Sequence, residues 1–199
     1  MKLIFATHNR NKALEIQKFL PDNFQVLTLD DIGFHEEIPE NESTIEGNSA
    51  FKAQFIYQNF KLNCFADDTG LEIESLNGRP GVHSARYAGG EKNSDANINL
   101  VLKELNGNQN RNARFKTVIA LIIEGEQFQF EGIVNGTIIE EKRGVNGFGY
   151  DPIFIPENES KTFAEMDLIE KNKFSHRARA LEKMIAFLNI EELSKVNLK

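Results

Sequence analysis

The sequence predicts an α/β protein in which helices cover the faces of a mixed β-sheet. In the first half, an apolar strand-like run at residues 2–6 precedes a helical pattern with Ala13, Ile16 and Leu20 on one face. In the second half, two strand-like segments flank a turn at residues 124–126, as in a hairpin. Alternating strands and helices indicate parallel pairing, and the hairpin adds antiparallel strands, so we expect a mixed sheet.

Length and composition limit the possible functions. The 199 residues, of which 40% are hydrophobic and 27% are charged, suit one soluble globular domain over residues 1–199. The net charge of -7 gives an acidic surface that repels phosphate backbones, so binding to nucleic acid polymers is not expected. A small anionic substrate would need a local cluster of Lys, Arg or metal ions.

Three features favour a cytoplasmic protein that does not bind membranes. Cys64 is the single cysteine, so it cannot form an internal disulfide, and its apolar neighbours favour a small core residue over a nucleophile. The apolar start at residues 1–6 is too short for a signal peptide. No stretch approaches the roughly 20 apolar residues of a transmembrane helix.

The first half is expected to alternate strands and helices. The first helix is closed by Pro21, and a second strand covers residues 24–29. An acidic, irregular loop follows at residues 30–43. The next helix starts at Thr44.

The second half carries weaker signals besides its hairpin. Turn residues occupy 77–81, and Ser94 is expected to cap a helix with a clear apolar stripe. A further short strand is predicted at residues 137–141. Residues 165–172 are expected to be helical or irregular, and Ser175 is expected to cap the last helix.

The central stretch is Phe-Ala-Asp-Asp-Thr-Gly-Leu-Glu-Ile-Glu at residues 65–74. We predict a short strand, a turn at residues 67–70 and a second strand. If the chain is extended at Asp67 and Asp68, these carboxylates point to opposite sides and do different work. One would hold a metal or a water, while the other braces the turn. Gly70 allows close approach to a ligand, although these residue types also suit an ordinary turn.

Two loops suggest binding. The first strand runs into the polar loop 7–12 and a helix, where backbone N–H groups and the helix dipole favour an anion, and Lys12 adds charge. The alternative is an ordinary Thr/Asn helix cap beside a surface lysine. In residues 143–152, three glycines surround Phe148 and Tyr150, which suits a planar ring held against the protein. The alternative there is a plain glycine-rich hairpin loop.

Five motif-like segments follow one another along the chain. They are Thr7-His-Asn-Arg-Asn-Lys12, Phe65-Ala-Asp-Asp-Thr-Gly70, Gly81-Val-His-Ser-Ala-Arg-Tyr87, Gly147-Phe-Gly-Tyr-Asp-Pro-Ile-Phe154 and Ser175-His-Arg177. In this order they resemble the motifs of the inosine triphosphate pyrophosphatase family, over nearly the whole chain. The resemblance implies Mg²⁺-dependent hydrolysis of ITP, dITP and XTP to a monophosphate and pyrophosphate. It also implies a homodimer, and a long, curved, mixed sheet with an active-site cleft between two lobes.

The resemblance also assigns phosphate and metal chemistry to particular residues. It implies that Asp68 binds Mg²⁺ and helps to activate the attacking water, with Glu40 as a second metal ligand and Glu42 as the neighbouring alternative. Asp67 and Lys52 would support catalysis at that centre. The triphosphate would be held by the loop residues Thr7, His8, Asn9, Arg10, Asn11 and Lys12.

Base recognition is assigned to a second group. Thr69 would contact the nucleotide, and the base pocket would be formed by Phe148, Gly149, Tyr150, Asp151, Lys171, His176 and Arg177. His176 and Arg177 open a helix, where positive charge is unfavourable unless an anion or polar ligand meets it. Donors aimed at the 6-oxo group of hypoxanthine or xanthine would be left unpaired by adenine, which discriminates strongly.

Two alternative functions remain open. A non-catalytic nucleotide sensor would keep the base and phosphate motifs but would not need the metal carboxylates. A pyrophosphatase for modified pyrimidine or 7-methylguanine triphosphates would need a different base pocket. The presence of Asp67, Asp68 and Glu40 together with the Ser-His-Arg motif favours the purine enzyme.

Overall fold

The chain divides into two compact units in the computed structural model, which describes residues 1–8 and 10–196. The first unit contains Met1–Asp68, Val118–Glu131 and Arg179–Lys199, and the second contains Thr69–Thr117 and Gly132–Ala178. These two units correspond to the two lobes that the resemblance implies. A single domain over the whole chain stays a prediction.

Seven strands and five α-helices occur in the described residues. The strands are β1 (Lys2–Phe5), β2 (Gln25–Leu27), β3 (Cys64–Ile73), β4 (Pro80–Gly81), β5 (Asn112–Ile123), β6 (Glu126–Ile138) and β7 (Phe154–Pro156). The helices are α1 (Arg10–Gln17), α2 (Ile45–Phe60), α3 (Ser94–Glu104), α4 (Leu168–Asn172) and α5 (His176–Val196). None of these helices is long and apolar enough to cross a membrane.

The strands of the first unit lie in the order β2-β1-β3-β5-β6, and β1 pairs in parallel with both β2 and β3. Side chains alternate between the two faces of the sheet. Phe5 and Phe65 pack with α1 and α5 on one face. Ile4 and Cys64 pack with α2 on the other face. Helices therefore cover both faces here, and Cys64 is a buried free thiol, as predicted.

The second unit has its own core on strands in the order β4-β3-β5-β6-β7. The pairs β3/β4 and β6/β7 are antiparallel. Leu71, Ile73 and Phe115 pack with Ile98 and Val101 of α3. Parallel pairing in the first unit and antiparallel pairing here confirm the predicted α/β fold with a mixed sheet.

Several local predictions are confirmed. Glu124 and Gly125 form the hairpin turn between β5 and β6, with φ of 52° and 92°. The helix predicted to start at Thr44 is α2, and Thr44 is its cap, since the hydroxyl oxygen accepts the N–H of Gly47 at 2.9 Å. Ser175 caps α5, where its hydroxyl oxygen accepts a backbone N–H at 3.2 Å.

Three predictions are wrong. Residues 67–70 lie inside β3 rather than in a turn, because pairing within a buried sheet outweighs the turn preference of Asp, Thr and Gly. Asn93 rather than Ser94 caps α3, since its side chain accepts the N–H of Ala96. Of the separate strand predicted at residues 137–141, residues 137 and 138 are the end of β6, and residues 139–141 are not in a strand.

Candidate active site

The alternation along β3 sends two adjacent carboxylates to opposite faces of the sheet. Asp67 lies on the same face as Phe65, which is covered by α1, and Asp68 lies on the same face as Ala66, which is covered by α2. The Lys12 ammonium on α1 lies 3.1 and 3.2 Å from the two carboxylate oxygens of Asp67. The two carboxylates therefore have separate partners.

Asp68 belongs to a cluster of polar side chains held by α2. The Lys52 ammonium lies 3.3 Å from Oδ1 of Asp68 and 2.9 Å from Oε1 of Glu40. The Asn48 amide donates to Oδ2 of Asp68 at 3.4 Å and accepts the backbone N–H of Glu42 at 3.0 Å. Of the two glutamates considered from sequence, Glu40 thus brings its carboxylate to Lys52. Glu42 contributes a backbone group.

The local sequence explains how α2 presents this cluster. Asn48 and Lys52 are four residues apart, so they lie on one face of the helix. Thr44 fixes the start of the helix. Ala53 and Ile56 are fully buried against the sheet, which holds the polar face beside β3.

Burial and neighbouring charges together set the pKa values of Asp68 and Lys52. Removal from water is the main reason that the pKa of Asp68 is raised; the charges of Glu40 and Asp67 add to it, whereas Lys52 and Asn48 oppose it. For Lys52, burial disfavours the ammonium, but the neighbouring carboxylates outweigh burial and raise its pKa. Lys52 therefore stays charged at neutral pH. Asp68 is a better proton acceptor than an exposed carboxylate.

The same side chains fit a hard divalent cation. Mg²⁺ prefers carboxylate oxygens, keeps several waters and commonly takes one or two protein carboxylates together with substrate phosphates. Glu40 and Asp68 offer two such groups around one ammonium. In the described part of the chain, no three His, Cys, Asp or Glu side chains gather into a metal site by themselves. The remaining ligands would have to be water and phosphate.

The predicted phosphate loop is described in part. Thr7 lies two residues beyond the end of β1, and α1 begins at Arg10, inside the segment expected to be loop. Lys12 thus lies in the first turns of a helix. Asn9 lies outside the described residues, and Arg10 and Asn11 are described only as backbone of α1.

His8 is held at both ring nitrogens. Its Nδ1 lies 2.9 Å from the carboxylate of Asp30, and its Nε2 lies 3.0 Å from the carbonyl oxygen of Glu36. Both partners are acceptors, so the geometry favours the doubly protonated ring. The carbonyl of Glu36 and then the carboxylate of Asp30 raise the pKa of His8.

In the second unit, Asp151 organises the predicted base loop. Its Oδ2 lies 2.6 Å from the Lys171 ammonium and accepts the backbone N–H of Phe148 at 2.9 Å. The Lys171 ammonium also lies 5.4 Å from the ring centre of Phe148 and 4.9 Å from that of Phe163. The Arg177 guanidinium lies 5.6 Å from the ring of Phe148. Lys171 and Arg177 therefore both lie at the Phe148 ring, and Asp151 joins Lys171 to the backbone of Phe148.

Two glycines shape the same loop. Gly147 and Gly149 have φ of 75° and 61°, the left-handed region that other residues seldom adopt. A Cβ atom on Gly147 would overlap the carboxylate of Asp151, whereas one on Gly149 would meet nothing within 4 Å. Phe148 between them is 59% exposed as a residue, and its ring offers an apolar face to a ligand.

The other predicted base residues are more deeply packed. The His176 ring stacks on Phe115, with ring centres 4.7 Å apart. Tyr150 is buried, and its hydroxyl donates to the carbonyl of Ser84 at 2.9 Å. Contact of Gly149, Tyr150 and His176 with a substrate stays a prediction.

Two polar residues of these clusters were missed from sequence. Asn48 is one, although its spacing of four residues from Lys52 was a usable signal. Thr117 is the other: its buried hydroxyl lies 2.7 Å from the hydroxyl of Thr69. No local sequence pattern predicts the contact between Thr69 and Thr117, because the two residues are far apart in the sequence.

The sequence and the fold of this chain are similar to those of known proteins. The sequence model of the Ham1 family matches residues 3–187, so the chain belongs to the Ham1 family. A "dITP/XTP pyrophosphatase" of Flavobacterium johnsoniae is 55% identical over 188 residues, which cover 94% of this chain and 98% of that relative. The Bacillus subtilis protein of the same name is 49% identical over 189 residues, which cover 93% of this chain and 96% of the relative.

Solved structures of Ham1 proteins have a similar fold. The Staphylococcus aureus Ham1 protein superimposes with a TM-score of 0.90 at 36% identity, covering 96% of this chain and all of that one (100%). A Mycobacterium abscessus structure named "Nucleoside-triphosphatase / dITP/XTP pyrophosphatase" gives 0.80 at 38% identity, with 93% and 99% covered. The predicted resemblance and fold class are thereby confirmed.

Proposed function

We propose that this chain hydrolyses ITP, dITP and XTP, in the presence of Mg²⁺, to the nucleoside monophosphate and pyrophosphate. The observation that carries the proposal is the partly buried cluster in which Lys52 bridges Glu40 and Asp68. The names of the curated relatives support the same reaction. Its biological result would be to keep deaminated purines out of DNA and RNA.

The chain's own residues supply binding and proton transfer. Lys12, and Lys52 beside the metal carboxylates, offset part of the roughly four negative charges of a triphosphate near neutral pH. Bound Mg²⁺ would be held by Asp68 and Glu40 and would neutralise phosphate charge and polarise a water. Asp68 would accept the proton of the water that attacks the α-phosphorus, while the bond from that phosphorus to the oxygen shared with the β-phosphate breaks. Pyrophosphate leaves with the bridging oxygen.

The second cluster supplies base recognition. Phe148 provides an exposed ring for stacking, and Lys171 and Arg177 lie against that ring as hydrogen-bond donors. A 6-oxo purine satisfies such donors, whereas the amino group of adenine leaves them unpaired. Thr69, held by Thr117, would contact the nucleotide.

We also propose a cytoplasmic homodimer. Both features come from the family resemblance, and a single buried cysteine whose pKa is raised to about 12, mainly by burial, suits a reducing compartment. Light scattering during size-exclusion chromatography should give twice the chain mass of 22.6 kDa. A strictly monomeric protein would contradict the dimer.

A paired assay tests the activity. The purified protein is incubated with ITP, XTP, ATP and GTP, with and without Mg²⁺, and the products are identified. We expect metal-dependent IMP and XMP plus pyrophosphate, with ATP and GTP nearly untouched. Orthophosphate and a nucleoside diphosphate would instead mean cleavage at the terminal phosphate. Tight binding of ITP without turnover would identify a sensor.

A further inference from the structure

Asn48 lies at the centre of the carboxylate cluster without any assigned role. Its side chain sits in the first turn of α2 and is buried, with 2% of the residue exposed. The amide has two polar partners, the Asp68 carboxylate at 3.4 Å and the backbone N–H of Glu42 at 3.0 Å. Buried amide groups are normally hydrogen-bonded, so these two contacts together define the orientation of the Asn48 amide.

Hydrogen-bonding chemistry allows one orientation of this amide. The N–H of Glu42 is a donor, so it must face the amide oxygen of Asn48. The NH₂ group then faces a carboxylate oxygen of Asp68, which is an acceptor. The flipped amide would place oxygen against carboxylate and NH₂ against N–H, which loses both hydrogen bonds.

Asn48 and Lys52 together bind both oxygens of the Asp68 carboxylate. Lys52 lies at Oδ1 of Asp68, and Asn48 donates to Oδ2. Because the two donors come from one helix face, rotation of the carboxylate group would break at least one of these bonds. The plane of the Asp68 carboxylate is thus fixed by α2.

The same two side chains also fix the preceding loop. Lys52 donates to the Glu40 carboxylate at 2.9 Å, and Asn48 accepts the N–H of Glu42. Two carboxylate-bearing segments, β3 and residues 40–42, are therefore tied to one helix face. A carboxylate in place of Asn48 would repel Asp68, and an apolar residue would leave the N–H of Glu42 unsatisfied.

We propose that Asn48 is a positioning residue that holds the Asp68 carboxylate and the segment carrying Glu40 in the arrangement that binds the divalent cation. This inference rests on the proposed function. Residues that orient metal ligands in this way commonly change metal affinity or activity by about 10- to 100-fold when they are replaced. Asn48 acts through Asp68 and Glu40 and does not itself touch the reacting atoms.

The test compares Asn48→Ala with Ser49→Ala. Ser49 is the matched control: it is the next residue, it is also buried, and its hydroxyl donates within the helix to the carbonyl of Glu46. Each variant is assayed for Mn²⁺ affinity without substrate, by calorimetry, and for kcat and KM with ITP and Mg²⁺. Thermal melting checks folding. Asn48→Ser, which leaves a hydroxyl near the N–H of Glu42, serves if the alanine variant does not fold.

We expect Asn48→Ala to bind Mn²⁺ about 10-fold more weakly and to lose at least about 10-fold in kcat, with KM for ITP changed less than kcat. Ser49→Ala should match the wild type in both measurements. An Asn48 variant that is less stable but keeps wild-type Mn²⁺ affinity and kcat would overturn this inference and leave the proposed function standing. A wild-type protein that neither binds Mn²⁺ nor hydrolyses ITP would overturn both.

Discussion

The Lys171 ammonium lies 2.6 Å from Oδ2 of Asp151, and only 12% and 3% of these two side chains are exposed. The same carboxylate oxygen accepts the backbone N–H of Phe148. One buried ion pair therefore positions both a cation and an aromatic ring of the predicted base site. Breaking such a pair leaves an uncompensated charge, which is more costly than losing an exposed pair.

Replacing either partner should reduce stability and substrate binding together. We expect Asp151→Asn and Lys171→Met each to lower the free energy of unfolding, by up to about 3 kcal/mol, and to raise KM for ITP. The double variant should lose less stability than the sum of the two, because no charge is then left alone. Urea unfolding measures this coupling. Additive effects would mean that the pair contributes no coupling.

A matched pair of glycine variants tests the base loop. Gly147→Ala and Gly149→Ala carry the same cost of a left-handed backbone, about 1 kcal/mol, but only the first places a methyl group against Asp151. We expect Gly147→Ala to be less stable than Gly149→Ala and to have the lower kcat/KM for ITP. Equal values for the two variants would show that the Asp151 contact is not critical.

Asp68→Asn should nearly abolish turnover without unfolding the protein. The amide keeps the shape of the carboxylate but loses the general base and the metal charge, so we expect kcat to fall about 10³-fold. Burial raises the pKa of Asp68, so removing its charge should cost little stability at neutral pH. Glu72→Gln, on the same strand in an ion pair with Arg114, is the control and should retain activity. Near wild-type rates in Asp68→Asn would refute its assigned role.

Lys12 tests phosphate binding separately from chemistry. Its ammonium forms an ion pair with the buried Asp67 carboxylate, and this pair holds the Lys12 side chain in place near the start of α1. We expect Lys12→Gln to raise KM for ITP at least about 10-fold with a smaller change in kcat, because a lost uniform binding contact acts mainly on KM. Lys18→Gln, exposed beyond the end of α1, is the control. A fall in kcat alone would place Lys12 in the chemical step.

His8 should make stability depend on pH. Its pKa is raised in the folded protein, first by the Glu36 carbonyl and then by Asp30, so the folded state binds the proton more tightly than the unfolded state. The stabilisation is complete below the unfolded pKa of about 6.5 and is lost as the pH rises through the folded value. The stability difference between the wild type and His8→Gln should therefore shrink above neutral pH. His83→Gln is the control, and a pH-independent difference for His8→Gln would contradict the prediction.

The fold and the site differed in how far sequence could predict them. Glu124 and Gly125 of the hairpin and the helix cap Ser175 act over a few positions, so their local patterns were sufficient to predict them. The turn predicted at residues 67–70 failed because Asp, Thr and Gly favour turns in isolation, whereas pairing and burial in a sheet decide the outcome. The turn propensity of single residues does not include strand pairing or burial, so it could not predict which of the two prevails.

The candidate site shows the same limit. Asp68 and Lys52 were predicted from sequence, but which of Glu40 and Glu42 brings its carboxylate to Lys52 depends on how an irregular loop returns to α2. Thr117 meets Thr69 only because β3 and β5 belong to one sheet order. Such contacts join residues that are distant along the chain, so they follow from tertiary structure.

Because β3 continues without a break through Asp67 and Asp68, this strand does not accommodate single-residue insertions or deletions. Deleting or inserting a single codon between Cys64 and Asp67 would shift every following side chain to the opposite face of the strand. The Asp68 carboxylate would then no longer face α2. Changes in length are better tolerated in the polar connection at residues 106–111, whereas β3 can diverge by substitution alone.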